Sequence, residues 1–431
     1  MQATQAMSRC SASCSAKPRL ATPAARTLLR ARVPCARRQE SRIGAAAQTV
    51  GLPPYGDITR LDDEERARVA EQIGFKQIGK QLPDDVTLTD VINSLPKEVF
   101  QVQEWKAWWG VFVTVSSCIG SLALLSVTPN WLLPVSWFIA GTAFTGLFTV
   151  GHDCAHRAGF KNKLVEDVVG TVMMAPLIYP YEPWRIKHNQ HHAHTNKLEV
   201  DTAWHPVPRE EMAKWGPVKS FLYQTFLGTP LKLWASIGHW LIWHFNLDLY
   251  EEKQKPRVMV SLAAVFAFMA IGWPTIIYYT GVWGFVKYWL MPWMGYHFWM
   301  STFTLAHHTA PHIPFKEAKD WNPAQAQLGG TVHCDFPRWV EFLTHDINWH
   351  VPHHVNAKIP WYNLRKATQS LRENWGEYMN HTDFNPRMLR YMCAECHVYD
   401  PENNYVPFDD PALTGKDERR PVFQLQRALL K

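Results

Sequence analysis

Aspartate and glutamate are absent from the first 39 residues, where basic residues are frequent. From Met1 to about Val50 there are nine Lys or Arg against one acid, Glu40. This net +8 exceeds the chain total of +6, so the remaining residues sum to −2. The segment also lacks the apolar core of a secretory signal, which excludes that route. An acid-poor leader rich in Ala, Ser and Arg has the composition of an organelle transit peptide, mitochondrial or plastid. The competing reading is a basic arm for nucleic acid or lipid headgroups. Cysteines are few and dispersed. Of eight, Cys10, Cys14 and Cys35 lie in the leader, Cys118 sits in an apolar run, and Cys154 and Cys334 stand alone. No disulfide framework emerges, which suits a reducing compartment. Cys393-Ala394-Glu395-Cys396-His397 matches the c-type haem attachment pattern. One such match near a C-terminus, behind a leader not meant for export, is better read as two ordinary thiols before a loop.

Charge is missing from two long stretches. Between Lys106 and Asp153 there is no Asp, Glu, Lys or Arg, and between Arg257 and Ala306 only Lys287 occurs. A helix needs ~20 residues to cross ~30 Å of hydrocarbon. Pro129-Asn130 and Pro134 divide the first stretch into Val111 to Val127 and Leu132 to Val150, a helical hairpin. The second divides into Val258 to Tyr279 and Val282 to Leu305, another hairpin, with Trp105, Trp108, Trp131, Tyr278 and Trp283 at the ends as in interfacial belts. The expected architecture is mainly α: an integral membrane protein with four transmembrane helices. Four crossings return both termini, and the long segment from Gly151 to Arg257, to one face. The opposite turns, Pro129-Asn130 and Thr280-Gly281, hold no Lys or Arg, so that face should be the outer one. Leu164 to Tyr181 is too short to span and should lie at the interface or over the site. Asp57 to Leu82 and Pro360 to Asn380 read as soluble helices. The expected divisions are 1–50 leader, 51–106 soluble or interfacial, 107–306 membrane domain, and 307–431 a C-terminal cap.

What is abundant is histidine. His152 and His156, then His188, His191 and His192, then His350, His353 and His354 form three clusters with spacings of three and four residues. On a helix those spacings put the rings on one face. By the topology above, all three clusters meet on one side of the membrane. Neutral imidazole suits Fe, Zn, Cu or Ni. Eight nitrogens exceed the four of a closed zinc site and match two ions with a position left open. Glu-x-x-His, the ligand pair of soluble di-iron bundles, occurs nowhere. His308, after the last span, is a candidate ninth ligand, with His307 and His312 beside it across Pro311. Asp153, Asp346 and Asn348 are candidates to orient ligand rings. His239, His244 and His297, among aromatics, read as core residues. A metal pair at a membrane face, approached through apolar sequence, suits dioxygen-dependent oxidation of a lipid chain.

Several longer motifs accompany the boxes. They are Gly151-His152-Asp153-Cys154-Ala155-His156, Tyr181-Glu182-Pro183-Trp184-Arg185, His307-His308-Thr309-Ala310-Pro311-His312 and Cys396-His397-Val398-Tyr399-Asp400. With them, the chain from about Leu52 onward resembles the plastid omega-6 (delta-12) branch of the membrane-bound histidine-box desaturases. The resemblance implies two iron ions held by His152, His156, His188, His191, His192, His350, His353 and His354, with His308 as a further ligand. It also implies dioxygen as oxidant, ferredoxin as electron donor, and monounsaturated 16- and 18-carbon acyl chains of plastid glycerolipids, chiefly galactolipids, as substrate. A plastid membrane follows, the inner envelope with the boxes facing the stroma, and no nucleic-acid partner. The sequence holds no His-Pro-Gly-Gly haem motif and no Gly-rich nucleotide loop, so a fused b5-type donor and direct NADPH use are not indicated. Arg157, Lys161 and Lys163, or Arg185, Lys187 and Lys197, could meet an acidic donor, although headgroup-facing charge is the better explanation of them. The rival oxidations are omega-3 desaturation, acyl hydroxylation, and carotenoid hydroxylation or ketolation. The rival from another class is a histidine-rich membrane metal transporter, which would place its ligands near mid-bilayer.

Overall fold

The computed structural model describes residues 57–408 and Asp410; the leader lies outside the described residues. The molecule is mainly helical. Helix α1 (Asp63–Ile73) starts where Asp62 accepts the Glu65 amide at 2.8 Å and three acids fill the first turn. It stops at Gly74, whose φ of +85° suits a residue without Cβ. The expected helix to Leu82 is therefore cut short, and the chain continues as strand β1 (Phe75–Gln77). The short α2 (Leu88–Asn93) begins with a Thr87/Asp90 capping box.

The two charge-free stretches become the long helices. α3 (Glu104–Val127) and α4 (Leu133–Ala155) lie side by side, and α11 (Met291–His308) packs along α4. α4 and α11 approach closely because both carry glycine at the crossing: a Cβ on Gly141 would lie 2.5 Å from Gly295 Cα. Among the described residues, three stretches are long and apolar enough to cross a membrane: Glu104–Val127, Asn130–Ala155 and Lys255–His308. The third has 54 residues and would run about 81 Å if straight. Its first part is α10 (Lys255–Phe285), interrupted at Gly281 with φ +70° and ψ 177°. Trp273 and Trp289 rings, sixteen positions apart, lie only 4.9 Å apart, so the chain folds back between them.

Between these stretches, α5 (Lys163–Met174) packs across α4, with Met174 against Gly151 and the apolar residues Leu164, Val168 and Val172 facing outward. α6 (Tyr181–Ala193) carries the second histidine cluster. Strand β2 (Val207–Pro208), α7 (Arg209–Met212), α8 (Pro217–Leu227), a 3-10 turn (Pro230–Trp234) and α9 (Ser236–Trp243) complete the middle segment. Indole N–H groups serve carbonyls among the apolar residues: Trp234 donates to Met294, Trp240 to Ile178, Trp289 to Pro176 and Trp293 to Leu177, at 2.7–3.0 Å.

The C-terminal part contributes a π turn (Gln325–Gly329), β3 (Val332–Asp335), α12 (Arg338–Leu343), α13 (His350–Val355), α14 (Leu364–Trp375), β4 (Asn380–Asp383), α15 (Pro386–Ala394), β5 (Val398–Asp400) and β6 (Asn404–Val406). The soluble helix expected over Pro360 to Asn380 is thus α14 alone, followed by strand. Strand β4 stands between antiparallel β1 and parallel β3, and β5 between parallel β2 and antiparallel β6. These sheets fasten distant segments around the histidines. The five cysteines of the described residues are buried and none is in a disulfide. His397 stacks on Phe408 at 4.3 Å and donates to the Cys393 carbonyl.

Candidate metal centre

Each cluster sits where a helix delivers it to a common point. α4 extends one turn past the apolar run, so His152 and the capping His156 project from its end. α6 presents His188, His191 and His192, and α13 presents His350, His353 and His354. α11 ends with His307 and His308. The structure sorts these rings into two groups. Donor atoms of His152, His156, His188, His192 and His353 all lie within 4.8 Å of one another, as do those of His191, His308 and His354. His350 joins the second group through its Nε2, 3.0 Å from that of His308. All nine predicted histidines are therefore brought together, five and four.

A metal ion fits each group on the evidence of its nitrogens. Buried Nε2 atoms of His152, His156, His353 and His354 have no hydrogen-bond partner. The Nε2 atoms of His188 and His192 are 3.1 Å apart, and those of His191 and His308 3.4 Å. Ligand nitrogens about 2.0–2.1 Å from one ion stand about 3 Å from each other. Burial, reinforced by neighbouring imidazoles, holds His188, His192, His350, His353 and His354 well below the usual histidine range. They are neutral, with lone pairs available to a cation.

The far sides of three rings are fixed. His191 Nδ1 donates to Asp201 at 2.8 Å, and that buried carboxylate also accepts the Asn196 and Ala203 amides. His152 Nδ1 donates to Asp153 at 3.1 Å, whose second oxygen takes the Trp361 amide. His354 Nδ1 faces Gln327 Oε1 at 2.9 Å and Thr195 Oγ1 at 3.2 Å. A proton held on Nδ1 directs the Nε2 lone pair inward. Trp184 stacks on His188 at 4.2 Å. Of the sequence candidates for this role, Asp153 is in place. Asp346 instead pairs with Arg365, and Asn348 donates to Cys334 and Glu341, so neither reaches a box histidine. Asp201 and Gln327 carried no sequence signal, because each arrives through a local turn.

Other histidines stand apart. His307 stacks on His350 at 4.1 Å without entering either group, and His312 lies edge-on to Phe75. His297 bonds Ser236, and His239 bonds the Thr202 carbonyl. His333, Asp335 and His381 form a third gathering. There both imidazoles donate to Asp335 at 2.8–2.9 Å, holding its carboxyl far below the usual range, and the Lys76 ammonium lies 3.4 Å away. Lysine already supplies the positive charge, so this knot ties β1, β3 and β4 together.

Residues 129–385, more than half of the chain and including every box, match the profile of the fatty acid desaturase family. The chain belongs to that family. It is 54% identical over 377 residues to the chloroplastic omega-6 fatty acid desaturase of Brassica napus, covering 88% of this chain and 83% of the relative. Against the Glycine max protein of that name it is 55% identical, over 79% of this chain and 80% of the other. The sn-1 oleoyl-lipid 12-desaturase of Synechocystis sp. is 49% identical, over 75% of this chain and 92% of its own length. The two histidine groups are thus the metal-binding candidates of a membrane fatty acid desaturase, an oxidoreductase.

Proposed function

We propose that this desaturase is a di-iron enzyme placing the omega-6 (delta-12) double bond in monounsaturated 16- and 18-carbon acyl chains of plastid glycerolipids. The observation that carries this reading is the convergence of nine imidazoles, in two groups, where α6 and α13 meet the ends of the long apolar helices α4 and α11. The names of the plant and cyanobacterial relatives supply the bond position, and the chloroplastic ones the plastid. Bound iron would couple reduction of dioxygen to removal of two hydrogens from the acyl chain. Those hydrogens, with two electrons and two protons from outside, turn dioxygen into two waters. The chain's own part is to hold the ions, orient their ligands from behind, and keep water from the buried site.

Four crossings in two hairpins account for the apolar helices, with the second hairpin turning at Gly281. The histidine face would be stromal, at the inner envelope, and ferredoxin the donor. The divisions at residues 50, 106 and 306 go with this topology. Arg157 is paired with Glu166 and Asp167, and Arg185 with Glu182, while Lys187 and Lys197 lie over aromatic rings. Those cations have internal roles, and headgroup or donor contact would be additional.

The test is expression in an oleate-rich host supplied with ferredoxin, followed by lipid-class analysis with double-bond positions. Linoleate is expected, and replacing His353 by Ala should abolish it while the chain remains in the membrane. A hydroxylated, omega-3 or carotenoid product would select a rival oxidation, and metal flux without oxygen uptake would select a transporter.

A further inference from the structure

Between Lys219 and Asp248 the chain has one charged residue, Lys232. That residue is turned inward: its fully buried ammonium donates to the Met392 and Cys396 carbonyls at 2.8 and 2.7 Å and lies 4.2 Å from the Trp204 ring. The outer surface of α8, the following turn and α9 is therefore without charge after Lys219. On α8, Val218, Phe221, Leu222 and Phe226 recur at helical spacing and point outward, Leu222 being 60% exposed. On α9, the adjacent Leu241 and Ile242 also point outward, Ile242 at 65%. The inner faces are occupied. Tyr223 packs with Trp215 against Phe408, and Trp240 lies 5.6 Å from Trp293 of α11.

The position of this surface indicates what covers it. Trp234 donates to the Met294 carbonyl and packs on Phe298 at 5.4 Å, and the Ser236 amide donates to Ser301 at 2.9 Å. Met294 stands about 21 Å along α11 from His308, inside the apolar stretch Lys255–His308. The turn Pro230–Trp234 and the start of α9 are thus packed on a membrane-spanning stretch, well back from the histidines. With eleven and eight residues, α8 and α9 are too short to cross. Charged sequence resumes at both ends, with Lys214 and Lys219 before and Asp248, Glu251 and Glu252 after.

We propose that residues 217–243 form a wedge sunk into the acyl region of one leaflet, entering and leaving at the histidine face, with lipid hydrocarbon as its partner. Short helices with an apolar face bind membranes in this way, Lys219 in the first turn of α8 being the one charge on the outer face, at the point of entry, and so large an apolar surface left in water would be unusual. The inference rests on the chain being embedded in a membrane, not on the metal or the bond position.

The experiment uses the full chain with Cys10, Cys14 and Cys35 replaced by Ser, in phosphatidylcholine vesicles. Single variants Leu222→Cys and Ile242→Cys carry a nitroxide label, with Ile271→Cys on α10 and Glu210→Cys on α7 as references. Collision with dissolved oxygen should exceed collision with a water-soluble nickel chelate several-fold at 222 and 242, as at 271. Nickel collision at either position equal to that at 210 places it in water and overturns the proposal, as does low collision with both reagents, which places it under protein. If labelling at either position disturbs folding, Val218→Cys and Leu241→Cys report on the same two helices. Product analysis on the same samples shows separately whether the proposed chemistry holds.

Discussion

At the residue scale, the imidazoles were legible and their supports were not. Spacings of three and four residues announce a shared helical face wherever the segment is helical, so His188, His191 and His192 could be assigned together. Asp201 follows His191 by ten positions and reaches it only because the chain turns sharply after α6, bringing the Asn196 amide to its other oxygen. Nearness in sequence misled for Asp346, since Arg365, nineteen positions on, claims that carboxylate. Removing the Asp201 carboxylate should free the His191 ring to rotate and let its tautomer change. Asp201→Ala is expected to weaken metal binding at the four-histidine group about 10–100-fold. Metal analysis at a free iron level just sufficient to fill both sites of the unaltered chain should then fall from two ions per chain toward one. Loss of both ions together, or of neither, would show that Asp201 supports the fold alone.

At the scale of elements, the long helices were legible because absence of charge over forty residues has few explanations. Their ends were less so. Asp57 to Leu82 reads as one helix until Gly74, where a left-handed residue converts it to strand. The six strands among the described residues have two to four residues each, too short to show alternation, and their partners come from remote sequence: Phe75 pairs with Thr382. Such strands form because tertiary contacts hold them, not from local preference. The α4–α11 crossing makes a testable claim, since its two glycines meet backbone to backbone. Gly141→Val should force the helices apart at a cost of about 1–3 kcal/mol. Thermal unfolding in detergent would show it as a lowered midpoint. Gly120→Val on α3, with nothing within 4 Å of the added carbon, should leave the midpoint nearly unchanged by comparison.

At the scale of the whole molecule, the sequence indicated that three distant clusters share one membrane face, but not that they divide five and four. Any ions held there join four helices, so binding should stabilise the folded chain. At a free metal concentration a hundred times the dissociation constant, one site contributes about 2.7 kcal/mol. Chelation is expected to lower the unfolding midpoint, and the shift should shrink in His353→Ala. An unchanged midpoint on chelation would show that the helices hold without the ions. The split itself has a mechanical consequence. His191 and His192 are neighbours in the chain yet serve different groups, and so do His353 and His354. The two centres are consequently calipered by two dipeptides, whose Cα atoms the covalent chain keeps about 3.8 Å apart. A shift of α6 or α13 therefore carries both centres along, and the gap between them is set by bonds rather than by packing.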